Sequence, residues 1–210
     1  MTAVVHGATG KVVTGFSFPY VAEYSESSGV ISYTSAQELA RGVSVSIAPD
    51  TPDDNNFYAN NQLAESGTKR FRSGTVTLTV DGLLLTARKL IQGLPSAGDD
   101  GWTAIGDSVN VPYVGIGFIV RYMSGGVESW TPMVLVKARF DIPQDAATTE
   151  GDDGIDWQTQ DLTAQLYRGD NANHDWKWIG ADFDAEADAL AALKTKLGIV
   201  LTPVDTSVNT

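Results

Sequence analysis

The stretch DDNNFYANNQLAE, residues 53–65, places carboxylates and carboxamides at spacings that a calcium loop could use. An EF-hand loop needs oxygen ligands at positions 1, 3 and 5, glycine at 6 and a bidentate glutamate at 12. Counted from Asp54, the ligands at 1, 3 and 12 are Asp54, Asn56 and Glu65, but position 5 is Tyr58 and position 6 is Ala59. The flanking segments also read as strands, so the match is partial and of a kind that an Asn-rich acidic loop produces by chance. Hydrolytic chemistry has less to work with. The two histidines, His6 and His174, fall in an N-terminal arm and a turn, and the chain has no G-x-S-x-G elbow, since GFSFP around Ser17 departs at its last position. GATGKV lacks both the upstream glycine and the following Ser or Thr of a phosphate loop. The acids Asp99, Asp100, Asp152, Asp153 and Asp156 sit in Gly-rich turns, where turn formation and solvation account for them. With no cysteine, disulfides, thiolate zinc sites and cysteine nucleophiles are excluded. No cofactor and no catalytic residue is expected.

The elements that must carry these residues are mostly strands. In GVSVSIA, Val43, Val45 and Ile47 alternate with Ser44 and Ser46; in GTVTLTVDG, Val76, Leu78 and Val80 alternate with Thr75, Thr77 and Thr79. A period of two with β-branched residues suits a half-buried pleated surface. TGFSFPYVAEY and GVISYTSAQEL flank the turn SESSG, and VPYVGIGFIVRY joins WTPMVLVKARFDI through MSGGVE, giving two hairpins. GIDWQTQDLTAQLYR adds a strand with Leu162, Ala164 and Leu166 in register, and GDNANHD turns into WKWIG. Two helices interrupt the pattern. DGLLLTARKLIQG offers Asp81 as N-cap, a stripe of Leu84, Ala87 and Ile91, and Gly93 as the stop. Residues 182–198 form the second, with acids in the first turn, lysines in the last, and Phe183, Ala187, Leu190 and Leu197 near one face. The expected fold is mainly β: two packed antiparallel sheets, as a β-sandwich or a partly closed barrel, with a flanking helix, a long inter-strand loop and a C-terminal helix. Residues 1–198 read as a single domain, with a flexible arm at 1–11 and a loop at 49–67, and residues 199–210 as an extension.

That loop is odd. It joins two strands that should be neighbours, yet it exceeds the ~12–15 residues usual for structureless loops. It also carries Phe57, Tyr58 and Leu63, side chains costly to leave in water. Such an arm wants a partner surface, where aromatics serve as anchors. The net charge of −12 argues against gripping nucleic acid through phosphates, which needs clustered Lys and Arg; a negative wall would instead let DNA slide. The opening MTAVVHGATGKVV does not read as a secretory signal, and no apolar run approaches the ~18 residues of a membrane span, so a soluble protein made in a cytoplasm is expected.

TGFSFPYVAEY, LARGVSVSIAPDTPDDNNFYANNQLAE and SGTVTLTVDGL, continued by VPYVGIGFIVRYMSGGVESWTPMVLVKARFDIP and WQTQDLTAQLY, resemble the major tail protein, or tail tube protein, of long non-contractile-tailed phages and prophages of Gram-positive bacteria. The resemblance spans residues 12 to 180, and its most specific string includes Asp53, Asp54, Asn55, Phe57, Tyr58, Asn61, Leu63 and Glu65. It implies a β-sandwich subunit that assembles into hexameric rings, stacked as a tube through which genome DNA leaves the capsid, with loops and arms reaching the next ring. It implies partners in the virion tail (further copies of itself, a tape measure, a terminator and a distal tail protein) and no membrane, cofactor, metal or catalytic residue. On that reading Ser44, Ser46, Thr75, Thr77 and Thr79 face the lumen and offer DNA nothing to grip. The competing reading is an acidic, calcium-dependent β-sandwich binding module, lectin-like or receptor-binding, that uses the Asp and Asn loops.

Overall fold

The computed structural model describes residues 10–51, 56–66, 70–107, 109–149 and 157–199. Ten strands and two helices follow in the order β1 (Val12–Ser27), β2 (Val30–Glu38), β3 (Gly42–Asp50), β4 (Asn56–Ala59), β5 (Gln62–Ser66), β6 (Ser73–Val80), α1 (Leu85–Gln92), β7 (Val114–Ser124), β8 (Val127–Phe140), β9 (Gln160–Tyr167), β10 (Lys177–Ile179) and α2 (Glu186–Lys196). Turn chemistry sets the hairpins. The two residues between β1 and β2, Ser28 and Gly29, have φ of 53° and 79°, and those between β7 and β8, Gly125 and Gly126, have 61° and 85°. Positive φ at both central positions is the two-residue turn whose twist matches paired strands.

One antiparallel sheet of eight strands results, in the order β2-β1-β7-β8-β9-β6-β3, with β10 also on β8. It does not close into a barrel. Strand β8 is the corner: one edge pairs with β7 along Val127–Ala138, while the other pairs with β10 at Met133–Leu135 and then with β9 at Lys137–Phe140. Beyond that corner β9, β6 and β3 fold back over β1 and β7. Val76, Leu78 and Leu162 from the returning half meet Ile116, Phe118 and Val21 from the other, and Ala87 and Ile91 of α1 complete this core. Each fully buried side chain of this kind stabilises the fold by roughly 1.5–3 kcal/mol. The fold is thus mainly β as expected, but the two packed layers belong to one continuous open ladder that packs on itself like a sandwich rather than to two separate sheets.

A second core lies on the opposite face of β1 and β7, where Tyr20, Ala22, Ile119 and Val134 receive Ala189, Leu193 and Leu197 of α2. VGIGFIV reads as a continuous apolar run because β7 is buried on both faces. Its glycines let neighbours approach. A Cβ on Gly117 would lie 2.7 Å from Leu197 Cδ1 and 2.8 Å from Leu193 Cδ1. Tyr33 ties the layers together. Its hydroxyl donates to the Val136 carbonyl at 2.8 Å, beside a register shift in the β7–β8 ladder, and burial pushes its pKa well above the usual tyrosine value. Tyr33→Phe leaves that buried carbonyl one partner short and is expected to destabilise by about 1–3 kcal/mol, read by urea unfolding; an unchanged midpoint would show that water takes the hydroxyl's place.

Three expectations need correction. Asp81 does not cap α1: the helix begins at Leu85, and the Asp81 carboxylate accepts instead from the Arg41 backbone N–H (3.0 Å) and guanidinium. Leu84 is half exposed as a result, while Ala87, Ile91 and the αL Gly93 behave as expected. In α2 the buried face is Ala189–Leu193–Leu197, flanked by Leu190; Ala187 faces solvent, and Phe183 precedes the helix, bridging to Trp130. The connection between β3 and β6 is not a bare loop, since β3 runs to Asp50 and β4 and β5 form a hairpin of their own. Among the described residues, no helix is long and apolar enough to cross a membrane.

Candidate functional site

The five candidate hydroxyl residues come together. Across the β3–β6 ladder Ser44 stands opposite Thr79, Ser46 opposite Thr77 and Ala48 opposite Thr75. Across β6–β9 the same rows continue to Asp161, Thr163 and Gln165, and Gln165 stands opposite Arg139 of β8. Directly opposed residues share a face, and the Val76, Leu78 and Val80 side chains are buried on the other. The rows therefore form one small-polar surface on the outer side of the returning half-sheet, covered by neither helix. The Thr79 hydroxyl donates to Asp161 at 2.7 Å, and the Arg139 guanidinium lies 5.8 Å from the Tyr113 ring centroid. In the last row Asp50 accepts from the Ser73 hydroxyl at 3.3 Å and Lys137 donates to Asp170 at 2.7 Å. The four charged groups of these rows thus stand at the margins, engaged with neighbours, and the centre of the face is hydroxyl, methyl and carboxamide. Asp161, Thr163, Gln165 and Arg139 join the face without standing out in the sequence; the signal that places them is alternation, with Leu162, Ala164 and Leu166 in β9 and with Ala138 and Phe140 in β8.

Val43 departs from the expected alternation. Gly42 pairs with Val80 and Ser44 with Thr79, so Val43 is an extra, bulged residue, 54% exposed, while Val45 and Ile47 pack on the core.

Beyond Asp50 and Ser73 the chain continues into the β4–β5 hairpin. Asn60 and Asn61 turn it, with φ of 52° and 61°, so Asn61 serves the turn that residues of its type favour. Phe57 stands opposite Glu65 and Tyr58 opposite Leu63; Phe57 is 63% exposed, and Glu65 and Asn61 are also exposed. Asp53, Asp54 and Asn55 lie outside the described residues, as do His6, Asp152, Asp153 and Asp156. Among the described residues no three acids or histidines gather as a metal would require. Asp100 accepts from the Trp102 backbone N–H at 3.1 Å inside its own turn. His174 is exposed in the turn before β10, its Nδ1 donating to the Gly169 carbonyl at 3.3 Å. Ser17 donates to Glu186 at 2.8 Å, tying β1 to the first turn of α2.

Neither a protein-family model nor a curated protein matches the chain. The functional argument therefore rests on the surfaces themselves. Among the described residues the sheet ends in two unpaired outer edges, on β2 and on β3. The edge strand β3 carries the hydroxyl rows, and the exposed Phe57 hairpin extends from the same end of the ladder. Arranged this way, the chain offers a sheet face with an uncharged centre, a strand edge beside it and an aromatic arm.

Proposed function

We propose that this chain is a self-assembling structural subunit of the tail-tube type. Six copies close into a ring, rings stack into a tube in the virion tail, and genome DNA passes through the lumen. The observation that carries this reading is the uncovered face of β3, β6 and β9. A chain of net charge −12 keeps charge off the centre of one broad sheet face and lines it with Ser44, Ser46, Thr75, Thr77 and Thr79. Without Lys or Arg at its centre such a face releases no counterions from phosphates and so holds no DNA in place. Closing copies around it removes the open strand edges that otherwise invite uncontrolled pairing. The reading assigns no catalysis and no cofactor. Its other partners are the tape measure, terminator and distal tail proteins of the same particle.

Sedimentation velocity over a wide concentration range, with and without calcium, tests the reading. Concentration-dependent growth into large species that is indifferent to calcium is expected. A chain that stays monomeric at every concentration and gains thermal stability on adding calcium would establish the binding-module reading instead. Thr77→Lys probes the lumen assignment. Thr77 is half-buried on the outward side of a central strand, so folding and tube formation are expected to survive, while a ring of added ammonium groups retains DNA and slows ejection from reconstituted particles. Unchanged ejection kinetics would move the lumen to another face.

A further inference from the structure

The core cluster meets solvent in a cleft between two strand edges. Strand β1 pairs with β2 only from Tyr20 onward, so Val12–Ser17 has one free edge, and β3 is the terminal strand of the sheet. Between these two edges lies a cleft of about 420 Å³, lined by Phe16, Val43 and Val45 and reaching inward to Phe118 and Val120. Phe16 lies against the bare backbone of Gly42, where a Cβ would come within 2.2 Å of its ring, and Phe16 and Phe118 meet edge to face at 5.6 Å. This contact keeps β1 and β3 adjacent although they do not pair. One charged group lines the cleft: Lys177 of β10. Among the described residues no carboxylate pairs with it. Burial lowers its pKa from the ordinary lysine value, the direction set by lost solvation of the ammonium. An apolar cleft with one uncompensated ammonium, in a chain of net charge −12, is complementary to an apolar group that has a carboxylate beside it.

The β4–β5 hairpin presents such a pair on an exposed arm. Phe57 and Glu65 stand directly opposite each other in the β4–β5 hairpin, Phe57 is 63% exposed, and among the described residues the hairpin joins no other strand of its own copy. Directly opposed residues hold their Cβ atoms about 4.5–5.5 Å apart, so ring and carboxylate travel together. We propose that the hairpin of one copy docks in the β1–β3 cleft of a second copy, Phe57 entering between Phe16 and Val45 and Glu65 pairing with Lys177. The contact rests on the self-assembly reading and names the receiving surface for its arm.

Charge exchange in the full-length chain tests it, with the critical concentration for assembly as the readout. Glu65→Lys, on an exposed strand remote from the core, is expected to raise that concentration on the order of tenfold or more, as loss of a close charge pair does. Lys177→Glu does the same, and Lys177→Met, which keeps the aliphatic stem, raises it less. Combining Glu65→Lys with Lys177→Glu restores assembly to within about threefold of the parent, because the exchanged pair is again complementary. Parent chains that assemble while Glu65→Lys and Lys177→Met assemble equally well would overturn the contact and leave self-assembly standing. A double variant no better than its singles would overturn it too. A parent chain that never assembles would overturn the self-assembly reading and this contact with it.

Discussion

Removing residues 52–69 and joining Thr51 to Arg70 through two glycines leaves a folded subunit that no longer stacks. Strands β3 and β6 pair without interruption from Ser44–Thr79 to Asp50–Ser73, and the Arg72 N–H donates to the Asp50 carbonyl at 3.1 Å just beyond. The ladder therefore ends in place before the hairpin begins. Among the described residues β4 and β5 pair only with each other, so their removal takes no partner from the main sheet. A shorter connection also lowers the entropy of closure, by about 0.6 kcal/mol for each halving of its length. The melting temperature should hold or rise slightly, while sedimentation shows the loss of species larger than a ring. Unfolding of the excised chain would mean that the hairpin belongs to the core.

The second large effect concerns stability. Gly117→Val pushes a branched side chain into the seat of α2, where Leu197 and Leu193 already come within 3 Å of the place a Cβ would take. The leucine ends can rotate, so the expected cost is that of overpacking, about 1–3 kcal/mol. In a domain of this size that lowers the melting temperature by roughly 2–12 °C. Leu193→Ala, at a fully buried position, should cost about 2–5 kcal/mol by leaving a cavity. The combination should cost less than the two together, because valine then occupies the space that the leucine vacated. Strictly additive losses would place α2 away from β7.

Much of this fold was legible in the chain. Thr75, Thr77 and Thr79 alternating with Val76, Leu78 and Val80 located β6 and both of its faces, and Gly125–Gly126 located the β7–β8 turn, because each signal is local. The capping of α1 was not legible. Asp81 is an apt cap by type, but Arg41, forty residues away, holds its carboxylate. The corner at β8 was equally hidden, since one strand changes partner along a single edge and no periodicity records that. The Val43 bulge is a matter of register between strands. Phe71 and Trp176, whose rings stack at 4.3 Å, are brought together only by the fold-back. For the candidate site, the hydroxyl rows followed from alternation, and the hairpin arm followed from an over-long connection rich in aromatics. The cleft beside Lys177 followed from neither, because it exists only where two strand edges approach without pairing.

The residues 53–65 that opened as a calcium pattern now divide by position. Asn60 and Asn61 make a turn, and Phe57 and Glu65 form an exposed pair on the strands that it joins. What such an arm does is decided by whether copies of the chain meet. Electron microscopy of the purified, concentrated protein tests this most directly. Hollow tubes of stacked six-membered rings are expected, their inner wall the face bearing Ser44, Ser46, Thr75, Thr77 and Thr79. Monomers at every concentration, or tubes with that face turned outward, would contradict that assembly.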